Sequence, residues 1–503
     1  VQKGTNQPVA GIDVAVVNAP VRPVRTDAEG RFRFEGLAPG RYGLSVSPVS
    51  GYRAKDSVIV IRGNEAVTGI EIIALAEARM SGTVRDPTGR PAAGLRVSAL
   101  RLHGSGTRFP PDRPPLGVSV TDQAGNYKLA GLAPGVYTVL VEVERSEVSR
   151  REWQDGESLK LPEPVRRTVR TYYPSAVSLD QAGSFEVQEG QVLQGVDIRL
   201  ARPETFCVRS RVRSVAGTAG EKTRLTVSSE AFLGGLTFAE GEMELGAGFE
   251  VCGLPAGSYS LLVSPKESGR NGSFAFDTFT LTDRSLRLPD LTLQPLIRLT
   301  GRLMVDARAG DVKPFPSPAR IHLSAIGRPS ATGERTSANV AEPGPFVIPA
   351  LLPAEYWLRV LPPAGFYVQS AAVDGRDALR APLHAAGREL VVVLGQDGAQ
   401  LTVTVAGPRG EPLASPAVIV GRDPLPASYA PGDLAVAVAD QYGQAVWTGL
   451  APGSYRVVAF AETMVDPANA AALFQTSRVK GEELTLGPGQ KRALSVRPVD
   501  RKD

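Results

Sequence analysis

Cysteine is nearly missing: the 503 residues hold two, Cys207 and Cys252. Two thiols cannot supply a four-ligand metal site or a disulfide-dense scaffold, and they can form one bridge at most. Histidine is as scarce. His103, His322 and His384 are the whole set, too few to suggest a zinc centre. There is no Gly-x-Ser-x-Gly, no phosphate-cradling glycine loop and no paired-carboxylate context at a strand end. No catalytic, cofactor-binding or metal-binding residue is therefore assigned, and no cofactor is expected. No run approaches the ~20 apolar residues of a membrane span. Val1 does not begin a signal peptide, which reads as a processed or trimmed chain. Charge of one sign is also lacking: 56 Lys and Arg face 52 Asp and Glu, a net +4 that is scattered and does not suggest nucleic acid as a partner. The densest basic cluster is Arg145, Arg150, Arg151, Arg166, Arg167 and Arg170. It is interleaved with Glu144, Glu147, Glu152, Asp155, Glu157 and Glu163 and reads as a solvated loop.

What the chain has is punctuation. Its 53 Gly and 41 Pro point to frequent turns, and one phrase occurs five times: DAEGRFRFEGLAPGRYGLSV (27–46), DQAGNYKLAGLAPGVYTVLV (122–141), GAGFEVCGLPAGSYSLLV (246–263), GPFVIPALLPAEYWLRV (344–360) and DQYGQAVWTGLAPGSYRVV (440–458). The tyrosines Tyr42, Tyr137, Tyr259, Tyr356 and Tyr455 are separated by 95, 122, 97 and 99 residues, the period of a small sandwich domain. Asp-x-x-Gly makes a tight hairpin turn, because Asp bonds nearby backbone N–H groups and Gly accepts positive φ. Alternating strands follow, such as Phe32/Phe34 and then Tyr42/Leu44/Val46, so one face of each turns inward. Upstream lie further strand-turn-strand stretches such as 80–100 and 401–420, and each unit closes with runs such as VTGIEIIAL (67–75), QGVDIRLAR (194–202) and RALSVRPV (492–499). Roughly seven short strands per repeat is the sandwich signature. Helix signal is confined to Asp466–Leu473, with Asp466 as N-cap and Pro467 at the first helical position.

The order strand, Gly-x-Pro turn, strand, Asp-x-x-Gly turn, aromatic strand, Gly-Leu-x-Pro-Gly-x-Tyr, strand resembles the carboxypeptidase regulatory-like domain, a transthyretin-like or Cna-B-like β-sandwich. Tandem copies of this kind are familiar from secreted proteins of Acidobacteria. The first, second and fifth phrases match best, while the third and fourth have lost the turn Asp. In zinc carboxypeptidases such a domain accompanies a catalytic one, but His-x-x-Glu is absent here: Gly106, Ala325 and Gly387 stand three residues after the histidines.

The expected fold is therefore all-β, a tandem array of about five Ig-like or transthyretin-like sandwiches. The units are 1–76, which lacks its first strand; 77–202, with a long loop insertion; 203–296, with a candidate disulfide Cys207–Cys252; 297–396; and 397–503, with a short helix near 466–473. Laid end to end they would reach about 150–200 Å. The repeated tyrosines read as core, with their hydroxyls hydrogen-bonded. The turn carboxylates Asp27, Asp122 and Asp440, one per loop, read as turn formers and not as calcium ligands. Trp153 is the aromatic expected to be exposed. The first repeat opens at Val1-Gln2-Lys3-Gly4, almost in its turn. Either its first strand lies outside these residues or another molecule donates it by β-strand addition, with Arg492–Val499 as a candidate donor. The expected function is that of a non-enzymatic extracellular or cell-surface structural or adhesion protein, a fibre or surface-assembly subunit that self-associates head to tail or binds other surface proteins. The alternative is a secreted carbohydrate-binding, starch-binding-like module with a glycan partner.

Overall fold

The computed structural model describes residues 1–503 apart from 3–4, 18, 47–51, 55–56, 64, 103–115, 144–145, 152–160, 215–221, 230–236, 266–272, 307–311, 326–336, 353–354, 386–387, 427–431, 462–464, 466–469 and 500–503. His103 and Trp153 lie outside the described residues, as does the expected helix start at Asp466-Pro467.

Strands form where apolar and polar residues alternate. In Ala399–Val405, Ala399, Leu401, Val403 and Val405 are buried while Gln400, Thr402 and Thr404 are not. In Ile297–Val305, Leu299, Gly301 and Leu303 are buried between exposed Thr300, Arg302 and Met304. A period of two is what a strand requires to place one face on a core, and each Val or Leu taken fully out of water contributes roughly 1.5–3 kcal/mol. The resulting cores succeed one another along the chain. They are built around Val14, Leu44 and Ile59, around Met80, Tyr137 and Ile198, around Phe206, Tyr259 and Leu291, around Leu299, Tyr356 and Val392, and around Leu401, Tyr455 and Val496. The stretches holding them are referred to as the first to fifth units. The fourth core also takes in Leu262 and Phe274 from the third unit, which packs the two together.

Four units share one plan. In the second, Ala78–Arg85 pairs antiparallel with Asn126–Leu132 and parallel with Ile198–Arg199. In the third, Glu204–Ser214 pairs antiparallel with Gly248–Pro255 and parallel with Leu291–Pro295. In the fourth, Ile297–Val305 lies between Gly344–Leu351 and Glu389–Gly395, and in the fifth Ala399–Val405 lies between Gln444–Leu450 and Lys491–Val496. The opening strand is thus central. Facing it is a sheet carrying the repeated tyrosine, such as Leu434–Val438, Ala417–Arg422, Gly453–Phe460 and Glu482–Leu486 in the fifth unit.

The turn glycines show why the repeat is spelled as it is. Gly125 and Gly443 sit at φ +77° and +70°, and a Cβ on either would stand 2.4 Å from the Val84 carbonyl oxygen or 2.7 Å from that of Val405. Both backbone conformation and space demand glycine there.

Two expectations are corrected. The helix spans Ala470–Ser477, past the expected end at 473, because Ala470 and Phe474, one turn apart, are both buried beside Ile419, Val458 and Phe460. The array is also not extended end to end, since the fifth unit touches the first: Val60 and Gln441 are hydrogen-bonded. Among the described residues no helix is long and apolar enough to cross a membrane.

Candidate interaction surfaces

The segment read as a solvated loop is structural. Val148–Arg151, from the second unit, pairs antiparallel with Gly248–Pro255 of the third in the register Val148↔Val251 to Arg151↔Gly248. Val165–Arg166 pairs with Glu204–Ser214. Further bonds fasten both ends: the Ser146 amide donates to the Phe238 carbonyl at 3.0 Å, and the Thr205 hydroxyl to that of Val165 at 2.6 Å. Val148 packs on the third core, and Gly241 leaves room for it, since a Cβ there would lie 2.6 Å from Val148 Cβ. Three of the cluster's arginines, Arg150, Arg166 and Arg170, act at this joint. Arg150 meets Glu244 at 3.0 Å and Arg166 meets Glu204 at 3.9 Å. Arg170 is 7% exposed; its guanidinium lies 4.9 Å from the Phe238 ring centre, donates to the Thr237 carbonyl at 2.9 Å and stands 3.8 Å from Glu142. A buried cation is tolerated because an acceptor, a carboxylate and an aromatic face surround it. The second unit therefore adds strands to the sheet of the third, which covers an edge that would otherwise expose unpaired backbone groups.

On the same sheet Cys207 and Cys252, opposite one another in register, are joined by a disulfide. Glu250 lies close enough to complete a trio of metal-ligating types with them. The two sulfurs are bonded to each other and Glu250 is held by Arg209, so the trio has no thiolate to offer a cation.

The repeated tyrosines sit where the Gly-x-Pro turn meets the next strand. The hydroxyls of Tyr42, Tyr259, Tyr356 and Tyr455 donate to the carbonyls of Ala38, Pro255, Leu352 and Ala451, each four residues back, at 2.8, 2.8, 2.9 and 2.7 Å. Each phenol ties its own turn shut. Tyr137 is fully buried, and burial pushes the hydroxyls of Tyr259 and Tyr455 above the ordinary range. Turn carboxylates act locally too. Asp27 Oδ1 accepts from the amides of Glu29 and Arg31, Asp122 Oδ1 from those of Ala124 and Asn126, and Asp440 Oδ1 from those of Tyr442 and Gln444. Among the remaining aromatics and histidines, Trp447 is half-buried against the fifth core, Trp357 lies in the strand Glu355–Leu361, and His384 is 3.1 Å from Glu355.

The first unit departs from the common plan. Residues 31–38 and 65–73, which correspond to the two neighbours of the central strand elsewhere, belong to no strand. Val1 and Gln2 meet the end of the second stretch: Gln2 bridges Ala74 in parallel, the Ala74 amide donates to the Val1 carbonyl at 2.7 Å, and the Val1 amino group donates to that of Ile72 at 2.8 Å. Half-buried Phe32, Phe34 and Ile70 and buried Ile72 pack in this unit's core. The suggested donor Arg492–Val499 is not available for addition to another unit, because Lys491–Val496 is paired with Ala399–Val405 inside the fifth unit.

No curated protein matches the chain. Solved structures that overlap it include a streptococcal ancillary pilin, at 12% identity over 60% of this chain and 100% of that one with a TM-score of 0.21. Another is the major pilin subunit of Bacillus cereus, at 10% identity over 84% and 99% with a TM-score of 0.16. A third is two B repeat units of the collagen-binding protein of Staphylococcus aureus, at 12% identity over 78% and 94% with a TM-score of 0.15. Overlaps at these TM-scores carry no functional weight. The family model of the carboxypeptidase regulatory-like domain matches residues 1–73 and 79–201, so the first two units of this all-β chain are carboxypeptidase regulatory-like domains in tandem.

Proposed function

We propose that the chain is a non-enzymatic structural or adhesion protein of the cell exterior, with β-strand addition as its means of joining units. The observation that carries this reading is the joint between the second and third units, where one sandwich lengthens the sheet of the next with Val148–Arg151 and Val165–Arg166. The same mode of joining would link a second copy, head to tail, or another surface protein. An exterior location is supported by the Cys207–Cys252 bridge, a bond that persists in oxidising compartments and is rare in the cytosol.

The test is negative-stain electron microscopy of the protein from its native source, alongside sedimentation of the purified full chain over a range of concentrations. Filaments or larger oligomers are expected. Separate particles at every concentration that show saturable glycan affinity would replace this reading with the carbohydrate-binding one.

A further inference from the structure

Among the described residues the outermost strand of the first unit's sheet is Ser57–Ile61, last in the order Val24–Arg25, Asp13–Val17, Gly40–Val46, Ser57–Ile61. Such an edge presents backbone groups with no strand beside them. In this molecule the side chain of one residue takes a strand's place at Val60. The Val60 amide donates to Gln441 Oε1 at 3.0 Å, and Gln441 Nε2 donates to the Val60 carbonyl at 2.8 Å. A primary amide carries one acceptor and one donor side by side, the same pair that a residue of an added strand would present. Two flanking contacts accompany it: Arg41 Nη2 donates to the Val438 carbonyl at 2.9 Å, and the Arg62 guanidinium lies 5.0 Å from the centre of the Tyr442 ring.

The turn that carries Gln441 is rigid, because Asp440 Oδ1 accepts two of its amides. Comparison with the same turn in other units sets it apart. Asp27 and Asp122 are exposed, whereas Asp440 is 4% exposed. Gln123, the residue after Asp122, is exposed as well, while Gln441 is half-buried. Local turn geometry is common to all three, so the difference comes from what the fifth unit rests on. Between the two units is a cavity of about 360 Å³, lined on one side by Ala414, Ser415, Gln441 and Tyr442 and on the other by Ser57–Ile59 and residues 65–71.

We propose that Gln441 is a latch by which the fifth unit docks on the Ser57–Ile61 edge of the same chain and closes the array.

The experiment uses the full chain. Small-angle scattering gives its radius of gyration, and hydrogen exchange reports on residues 57–61, for the parent, Gln441→Ala, Val60→Pro and the control Gln123→Ala. Proline suits an outward-facing edge position and removes only the donor, so it tests the latch from the other partner without touching the turn. Loss of both hydrogen bonds in Gln441→Ala lowers the closed-to-open ratio roughly ten- to hundredfold, and loss of the one in Val60→Pro lowers it about two- to tenfold. Gln441→Ala and Val60→Pro should therefore enlarge the particle, and Gln441→Ala should speed exchange at 57–61, while Gln123→Ala changes neither. An unchanged radius in both latch variants, or cross-links between the first and fifth units only between differently isotope-labelled chains, would overturn the intrachain latch.

Discussion

Replacing Cys207 and Cys252 together with alanine removes a link whose contribution is calculable. The two residues are 45 apart in sequence. In the loop-entropy model a closure of that size restricts the unfolded chain by about 4 kcal/mol at 25 °C. Against a domain stability of about 5–15 kcal/mol this is a large share. For a unit of this size it corresponds to a fall in melting temperature of roughly 15–30 °C. The effect should be local in one sense and shared in another. Calorimetry of the full chain should show the transition of the third unit moving down, with that of the fifth little changed. Native-state hydrogen exchange should show protection falling in Glu204–Ser214 and Gly248–Pro255 and also in Val148–Arg151, since that strand from the second unit is paired with Gly248–Pro255. A loss below about 1 kcal/mol would refute the entropic account. Unchanged protection of Val148–Arg151 alongside a destabilised third unit would refute the shared sheet.

Arg170→Ala should loosen the same joint, since it deletes a charged donor to the Thr237 carbonyl and the cation over Phe238. About 2 kcal/mol is expected, read as faster exchange at Thr171–Tyr172 and Thr237–Glu244, and equal rates would count against a role for this side chain. Burial lifts Tyr172 from 10.0 to about 12, and Tyr259 and Tyr455 are likewise raised. The unfolded chain then loses its phenol protons first, so their contribution is whole below pH about 10 and declines as pH climbs towards the folded values. Thermal melts should be level from pH 8 to 10 and fall between 10 and 12; a level profile to pH 12 would contradict it. Gly125→Ala, at φ +77° with a Cβ 2.4 Å from the Val84 oxygen, should cost about 2 kcal/mol or more in the second unit. A melt like that of the parent would show that the turn can relax.

The repeat was legible because its physics is local. An Asp that bonds two amides ahead, a Gly with positive φ and a Tyr that reaches four residues back can all be read from a short stretch, and alternation marks the strands between them. The joint between the second and third units was not legible. Val148-Ser149-Arg150-Arg151 has no apolar alternation, and its partner Gly248–Pro255 is about a hundred residues further on, so interleaved charges read as solvent-facing. Arg170 illustrates the limit well, since nothing in its neighbourhood along the chain signals the Phe238 ring that buries it. Gln441 is harder still. Gln123 occupies the same turn position in the second unit and is exposed, so the two cannot be told apart without the surface of the first unit. The helix end was misjudged for a related reason: Phe474 anchors it in a pocket made by Ile419, Val458 and Phe460 from other strands.

Parallel pairing of opening and closing strands has a mechanical meaning. In the fourth unit Thr300 to Val305 run beside Glu389 to Leu394, and in the fifth Gln400 to Val405 run beside Lys491 to Val496, six registered pairs in each. Tension applied through the chain pulls the opening strand one way along its axis and the closing strand the other. The evenly spaced bonds of a parallel ladder are then loaded in shear and all together, instead of being peeled one at a time. In the second unit the parallel partners of Ala78–Arg85 come in two short pieces, Val192–Leu193 and Ile198–Arg199, with two registered pairs each. A pulled array should therefore yield in the second unit before it yields in the fourth or fifth.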